Sequence, residues 1–573
     1  MRGILTVATV LAIATAGAFA QTTYNDVSNG DWDAAGTWTP AGGPPGAGDT
    51  GVIDSNRVRV FGTVDTTLRS ESSGVIDFYH GNGDINGTGA LEFNGGVVGS
   101  QNTGSSHDLW NQVYLPITVQ ADTSMGLWDG YRRENFAFRG TISGVAGVTV
   151  TIENVLGDDE TDNGSWYLAN ASNPFAGQWL VKAGMLSSSR EGSLGTGTAT
   201  IQDSGELSMR HTGTVTADIV VKNGGRLDLT GGGGDQTLGR MAAGKTLSIQ
   251  DGGIFGAHLD DKDDNDSVLA DINVSGNVTL SAWNYYGQRG DLNLYGDLIG
   301  GTTANIAVNG PKIDDLDIRL RKANASYEGS WDVQDGKVVV HADGALGTGT
   351  LLVTGGLVIV NETQTTAPPI VIEDGSVQLG TNGTDDFTFD HDIVLAGGAL
   401  RGNDGDYNET FLTGELTVAA DSKLYQKDSS HPHKTGAFDL QGTVSGSAKL
   451  TIQHTTERAS GVRFLHDNSG TYDGIVEVIE GWAYSRTIGG MGAGTAVAVG
   501  KGILKSGVVD AFASLSEVQS TDGGTVDLDA AQPNAMIHIL PSGAFQVSSG
   551  FSGSIAYSAT ADPTKTNVLV EKG

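Results

Sequence analysis

Between Asp260 and Asp266 the chain reads Asp-Asp-Lys-Asp-Asp-Asn-Asp. Asp261, Asp263 and Asn265 stand at the alternate spacing that places hard oxygen ligands around a calcium ion. The pattern is incomplete, because Asp266 stands where a calcium loop has its turn glycine and Ile272 where it has its bidentate glutamate. A solvated loop at a chain corner is the competing reading. Asp158, Glu160 and Asp162 pose the same question more weakly. His431 and His433 form a His-Pro-His pair with no third ligand nearby, and zinc sites recruit three or four. Calcium is therefore the one cofactor these residues suggest, with Asp261, Asp263 and Asn265 as its candidate ligands.

Catalytic chemistry finds fewer candidates. Asp314, Asp315 and Asp317, followed by Arg319, faintly resemble the two placed carboxylates that glycoside hydrolysis needs. The polygalacturonase-type companions Asn-Thr-Asp, Gly-His-Gly and Arg-Ile-Lys do not occur, and with no cysteine and no nucleophile elbow the acyl-transfer arrangements fail as well. Gly239-Arg-Met-Ala-Ala-Gly244-Lys245-Thr246 matches the phosphate-binding loop residue for residue. Its context does not match, because a helix must follow so that its amides face the phosphates, whereas Leu247-Ser-Ile249 reads as a strand. Gly490-x-Gly492-x-Gly494 reads as a turn. No residue is assigned a catalytic role, and the expectation is a protein without enzymatic activity.

What would position any of these groups is a repeat. An aromatic residue, Gly, Val and Gly precede Gly-x-Gly-Thr three times, as Phe175, Gly177, Val181, Gly184 and Gly195–Thr198; as Tyr327, Gly329, Val333, Gly336 and Gly347–Thr350; and as Tyr472, Gly474, Val478, Gly481 and Gly492–Thr495. In each copy the first glycine precedes the Gly-x-Gly-Thr by 18 residues, and Leu194, Leu346 or Met491 stands just before that element. A second landmark precedes two of the copies, Gly140-Thr-Ile-Ser-Gly144 and Gly442-Thr-Val-Ser-Gly446, with a looser Gly296-Asp-Leu-Ile-Gly300 in the middle unit. Self-similarity of this kind is the mark of a solenoid or array, with units near 140–210, 296–360 and 442–505.

Composition sets the class. The 573 residues include 86 Gly and 12 Pro with only 17% charged, so glycine interrupts the chain too often for long helices. The intervals are short β-branched runs such as Val148–Ile152, Thr246–Ile249, Lys337–Val340 and Leu450–Ile452, which read as strands. The fold class is all-β, as a parallel β-helix whose coils of roughly 20 to 25 residues each add about 4.8 Å, giving an extended rod. Val, Ile and Leu face inward, and Gly, Asn and Asp take the corners. Asn82-Gly83, Asp251-Gly252 and Asn382-Gly383 also fit hairpins, which keeps an antiparallel sandwich array as the alternative. Residues 21–60, with Trp32 and Trp38 flanking a turn before Gly43-Pro-Pro-Gly46, suit an N-terminal cap and first coil, and 61–573 the solenoid. The same two indoles could instead form a sugar platform.

Residues 1–20 read as a signal peptide: Arg2, an apolar Ile4–Ala14 too short to span a bilayer, and Ala18-Phe19-Ala20 before the cleavage point. The mature chain is thus expected outside the cytoplasm with no transmembrane segment, and with no cysteine it holds together without disulfides. A net charge of −34 argues against nucleic acid and anionic membranes as partners.

The segments FAGQWLVKAG…LGTGTATI, YEGSWDVQDGKVVV…LGTGTLLV and GTVSGSAKLTI resemble the autotransporter-associated β-strand repeat, and the opening GDWDAAGTWTPAGGPPGAGDTGVI is similar to the first coil of such proteins. The resemblance implies a right-handed β-helix at the cell surface whose recurring positions are structural. A true autotransporter would carry a membrane-anchoring β-barrel in its last few hundred residues. Here the third repeat stands in that region, so secretion or attachment through a partner is expected. The combined expectation is an exported, rod-like structural or adhesive protein whose partner is a cell-surface component, a polysaccharide or other copies of itself. The alternative is a carbohydrate-active β-helix, either a lyase or glycosidase or a sugar-binding module.

Overall fold

The computed structural model describes residues 22–40, 43–79, 84–101, 110–127, 135–153, 165–230, 237–259, 264–284, 290–309, 316–362, 364, 367–380, 386–403, 409–426, 437–454, 461–528, 537–539, 544–547 and 567–570. Residues 1–20, the expected signal peptide, lie outside them. Two compact units emerge, residues 1–178 and 179–573. Each is a parallel β-solenoid. The only helical element among the described residues is the 3-10 turn Ala35–Thr37.

In the first unit the strands Thr23–Asp26, Thr50–Ile53, Thr67–Ser70, Ala90–Asn94, Ile117–Ala121 and Ile142–Gly144 stack in parallel, one per coil. Thr23–Asp26 also pairs antiparallel with Trp38–Thr39, which takes its other edge. Trp38 is buried there and its Nε1 donates to the Trp32 carbonyl at 2.8 Å, while Trp32 Nε1 donates to Phe61 O at 2.9 Å. A second side stacks Val58, Ile76, Val98, Met125 and Ile152 in register, all buried. On a third side Phe138 and Trp166 stack with ring centroids 5.6 Å apart.

The second unit repeats the principle. Ile306, Trp331, Leu351, Ile370, Ile393, Leu416 and Val444 form one inward ladder, each in register with the next and none more than 1% exposed. Val308, Val333, Val353, Ile372, Leu395 and Val418 form another two residues along the same strands. Alternate positions inward on every coil is what strand geometry demands, and each fully buried aliphatic side chain contributes about 1.5–3 kcal/mol. The sandwich alternative does not describe these units, because their ladders run parallel. Asp251-Gly252, a hairpin signal in sequence, is instead a corner: Gly252 has φ +74°, and the strands on its two sides, Leu247–Ile249 and Ile254–Leu259, pair with different neighbours.

The three repeat copies adopt one local structure. A Cβ on Gly177, Gly329 or Gly474 would lie 2.6, 2.4 or 2.1 Å from the carbonyl oxygen of Val148, Ala304 or Ala448 in the coil before, closer than any side chain tolerates. Gly195, Gly347 and Gly492, which open the Gly-x-Gly-Thr element, all have positive φ, at 83°, 76° and 89°. These glycines are fixed by close backbone approach in the first case and by a left-handed turn in the second.

Candidate functional site

Of the residues that sequence reasoning singled out, Asn265, Asp317 and Arg319 lie on one side of the second unit. Four strands, Asp264–Val268, Gly290–Leu294, Leu316–Leu320 and Lys337–Val340, stack in parallel there. Val268, Leu292, Leu294, Ile318 and Leu320 turn inward and are buried, so the alternate residues face away from the core. Register places Asn265 beside Asp291, Asp291 beside Asp317 and Asp317 beside Lys337. Arg319 lies two residues beyond Asp317 on the same face and reaches both carboxylates, with Nη1 2.7 Å from Asp291 Oδ2 and Nη2 3.2 Å from Asp317 Oδ2. Lys337 Nζ lies 2.9 Å from Asp317 Oδ1.

Two carboxylates in adjacent coils would repel one another, and the two cations hold them together. Burial raises the Asp291 carboxyl above its usual range, Arg319 opposes that rise, and Asp317 adds to it. Both oxygens of Asp317 and one of Asp291 are engaged by cations, so in this arrangement the pair clasps neighbouring coils. The same device recurs: Arg57 with Asp77 at 2.7 Å, Arg69 with Glu92, and Arg463 with both Asp439 and Glu409. An acidic chain thus spends many of its cations on joining coil to coil.

Of the candidate calcium ligands, Asp261 and Asp263 lie outside the described residues, as do Asp158, Glu160, Asp162, Asp314, Asp315, His431 and His433. Asn265 is described, and the chain around it is extended from Asp264 onward, with Asp266 turned inward and 1% exposed. No group of three or more metal-binding side chains occurs among the described residues. The phosphate-loop match proves to be a corner: Leu247–Ile249 follows it as a strand, and Lys245 Nζ donates to Thr196 O at 2.6 Å and lies 3.0 Å from Asp218 Oδ2. Gly490 to Gly494 likewise lies in the turn of the third repeat, where Gly492 N donates to Gly489 O at 2.9 Å.

Three features escaped sequence reasoning. Asp291 and Lys337 complete the charge cluster from neighbouring coils. Glu206 stands in register with Arg226, and Ser208 with Asp228, whose Oδ2 lies 2.7 Å from Arg226 Nε. Burial, and then the charge of Asp228, push the Glu206 carboxyl up to about 7. The third is a buried asparagine in each repeat. Asn173, Asn324 and Asn468 accept through Oδ1 from the backbone N–H of Ile142, Leu298 and Val444 at 2.9, 2.9 and 2.7 Å. Those residues stand two places after Gly140, Gly296 and Gly442, so the asparagine ties the two sequence landmarks of each unit together.

Comparison with known proteins finds no matching family model, no matching curated protein and no matching solved structure. Among the described residues no helix is long and apolar enough to cross a membrane.

Proposed function

We propose that this chain is an exported structural or adhesive protein that works by presenting its coil faces to a partner, as the resemblance to autotransporter-associated repeats implies. One observation carries the reading. Every position that recurs in the three repeats serves the coil itself: Phe175, Tyr327 and Tyr472 are buried, the recurring glycines permit close approach or a left-handed turn, and the asparagines satisfy backbone. Repetition has preserved a scaffold, and no carboxylate pair or histidine recurs with it. A solenoid of this kind offers extended surface as its product. The test is to recover the protein from cells that express the whole chain, sequence its amino terminus and probe it with protease from outside. A chain that begins at Gln21 and lies in the medium or open to protease at the surface fits the proposal; an intact Met1–Ala20 segment on a protected intracellular protein contradicts it.

A second reading, a carbohydrate-active enzyme, draws on the adjacent carboxylates Asp291 and Asp317. Against it stands their engagement by Arg319 and Lys337.

A further inference from the structure

The ion pair between Lys337 and Asp317 in the second repeat has no counterpart in the third. The repeats share one spacing, so Lys337 follows Gly329 at the distance at which Trp482 follows Gly474 and Met185 follows Gly177. In the second repeat Lys337 lies in register with Asp317 and pairs with it at 2.9 Å. In the third, Trp482 lies in register with Gly461, and a Cβ on that glycine would stand 2.1 Å from the indole Cδ2. Two positions along the same strands, Arg319 and Arg463 occupy equivalent places. One bond between coils has thus been exchanged for an indole that lies on bare backbone.

That indole faces outward. Ala483 and Ser485 are buried, so Trp482, Tyr484 and Arg486 turn away from the core, the two rings partly exposed and Arg486 exposed. The rings stand at 88° to one another with centroids 6.2 Å apart, which makes Trp482 a floor and Tyr484 a wall. Gly507 in the following coil leaves room for the wall, since a Cβ there would lie 2.7 Å from Tyr484 Cε2. The Arg486 guanidinium rests over the tyrosine, 5.3 Å from the ring centre. Ile503, partly exposed and in register with Trp482, continues the apolar floor into the next coil, one strand spacing or about 4.8 Å away. The neighbouring cations face carboxylates of this side: Arg463 pairs with Asp439 at 2.8 Å and Glu409 at 2.6 Å, Lys501 with Glu480 at 3.1 Å and Lys505 with Asp527 at 3.8 Å. Trp32 and Trp38, the sequence candidates for a sugar platform, are instead tied into the first coil through the carbonyls of Phe61 and Trp32.

We propose that the notch formed by Trp482, Tyr484, Arg486 and Ile503 binds a neutral glucan of β-linked glucose, with one sugar ring on Trp482 and the next over Ile503. The inference rests on the reading of this protein as a presenting surface and names what one part of that surface takes. A flat aromatic floor calls for a flat apolar partner. β-Linked glucose offers one, because its equatorial hydroxyls leave C–H bonds on both faces of the ring. The upright Tyr484 ring bounds the sugar on one side, and Arg486 offers N–H donors to the hydroxyls at the rim. Charge decides for a neutral ligand. A chain of net charge −34 repels an anionic polymer and opposes a second copy of itself, while Arg463, Lys501 and Lys505 are already matched by carboxylates.

Calorimetric titration of the mature chain with cellohexaose, with polygalacturonate as the anionic control, tests the proposal. The expected result is binding of cellohexaose alone, insensitive to added salt, with a loss of affinity of about tenfold or more in Trp482→Ala and partial retention in Trp482→Tyr. Tyr114→Ala, which removes an exposed aromatic ring of the first unit, leaves affinity unchanged. Circular dichroism and thermal melts establish that each variant is folded. No binding of cellohexaose, equal binding of polygalacturonate, or unchanged affinity in Trp482→Ala overturns the proposal. Sedimentation velocity without sugar covers the remaining occupant: a dimer that the parent chain forms and Trp482→Ala does not would assign the notch to a second copy and overturn the glucan as its ligand. Export and surface exposure of the chain are measured separately, so failure here is distinguishable from failure of the presenting role.

Discussion

The indole Nε1 of Trp331 donates to the carbonyl of Leu346 at 2.9 Å, and in the first repeat Trp179 makes the same bond to Leu194 at 3.0 Å. Each tryptophan therefore fixes the residue just before the Gly-x-Gly-Thr turn from inside the core. The third repeat has Val476 at this place and does without the bond.

Trp331→Phe keeps most of the buried ring but removes this side-chain donor to Leu346 O. The cost of orphaning a buried carbonyl is about 1–3 kcal/mol, and the smaller ring adds to it. Denaturant unfolding is expected to show a loss in that range; an unchanged midpoint means that the bond contributes nothing.

Gly329 and Gly301 make a matched pair. A Cβ at Gly329 meets Ala304 O at 2.4 Å, whereas one at Gly301 meets nothing within 4 Å. Gly329→Ala must shift the stacked backbone and is expected to lose about 1–3 kcal/mol. Gly301→Ala is expected to stay within about 0.5 kcal/mol of the parent chain. Equal effects in the two melts would remove close coil approach as the reason for the repeat glycine.

Glu206 supplies a pH dependence. Its carboxyl is raised from 4.5 to about 7 in the folded protein, so the folded state binds the proton more tightly than the unfolded chain. This contribution to stability is fully present below about pH 4.5 and is lost as pH rises to 7, by at most roughly 3 kcal/mol. Glu206→Gln removes the titration. Its melting temperature relative to the parent chain is therefore expected to improve steadily from pH 4.5 to 7, and a constant difference across that window would show that Glu206 titrates normally.

The fold was legible because its signal is local. Short runs such as Lys337–Val340 carry their own strand propensity, and the spacing from Gly177, Gly329 or Gly474 to its turn is constant. The charge cluster was only half legible. Asp317 and Arg319 lie on one strand, but Asp291 stands 26 residues before Asp317 and Lys337 20 after it, so unequal coil lengths hide the register that brings them together. The repeat asparagines were missed for a similar reason. Asn173, Asn324 and Asn468 precede their aromatic residues by two, three and four positions, so no fixed spacing marks them although their hydrogen bonds are equivalent. Asp251-Gly252 shows the converse, since a hairpin and a solenoid corner use the same left-handed glycine and only the partner strands distinguish them.

The central claim is that the chain presents a surface and does not turn over a substrate. Size-exclusion analysis of polygalacturonate and of a neutral glucan after long incubation with the purified mature chain, with new reducing ends and unsaturated sugars counted in parallel, tests it most directly. The account predicts unchanged polymer length and no new ends. Progressive shortening that disappears in Asp291→Asn or Asp317→Asn would contradict it and make the adjacent carboxylates an active site.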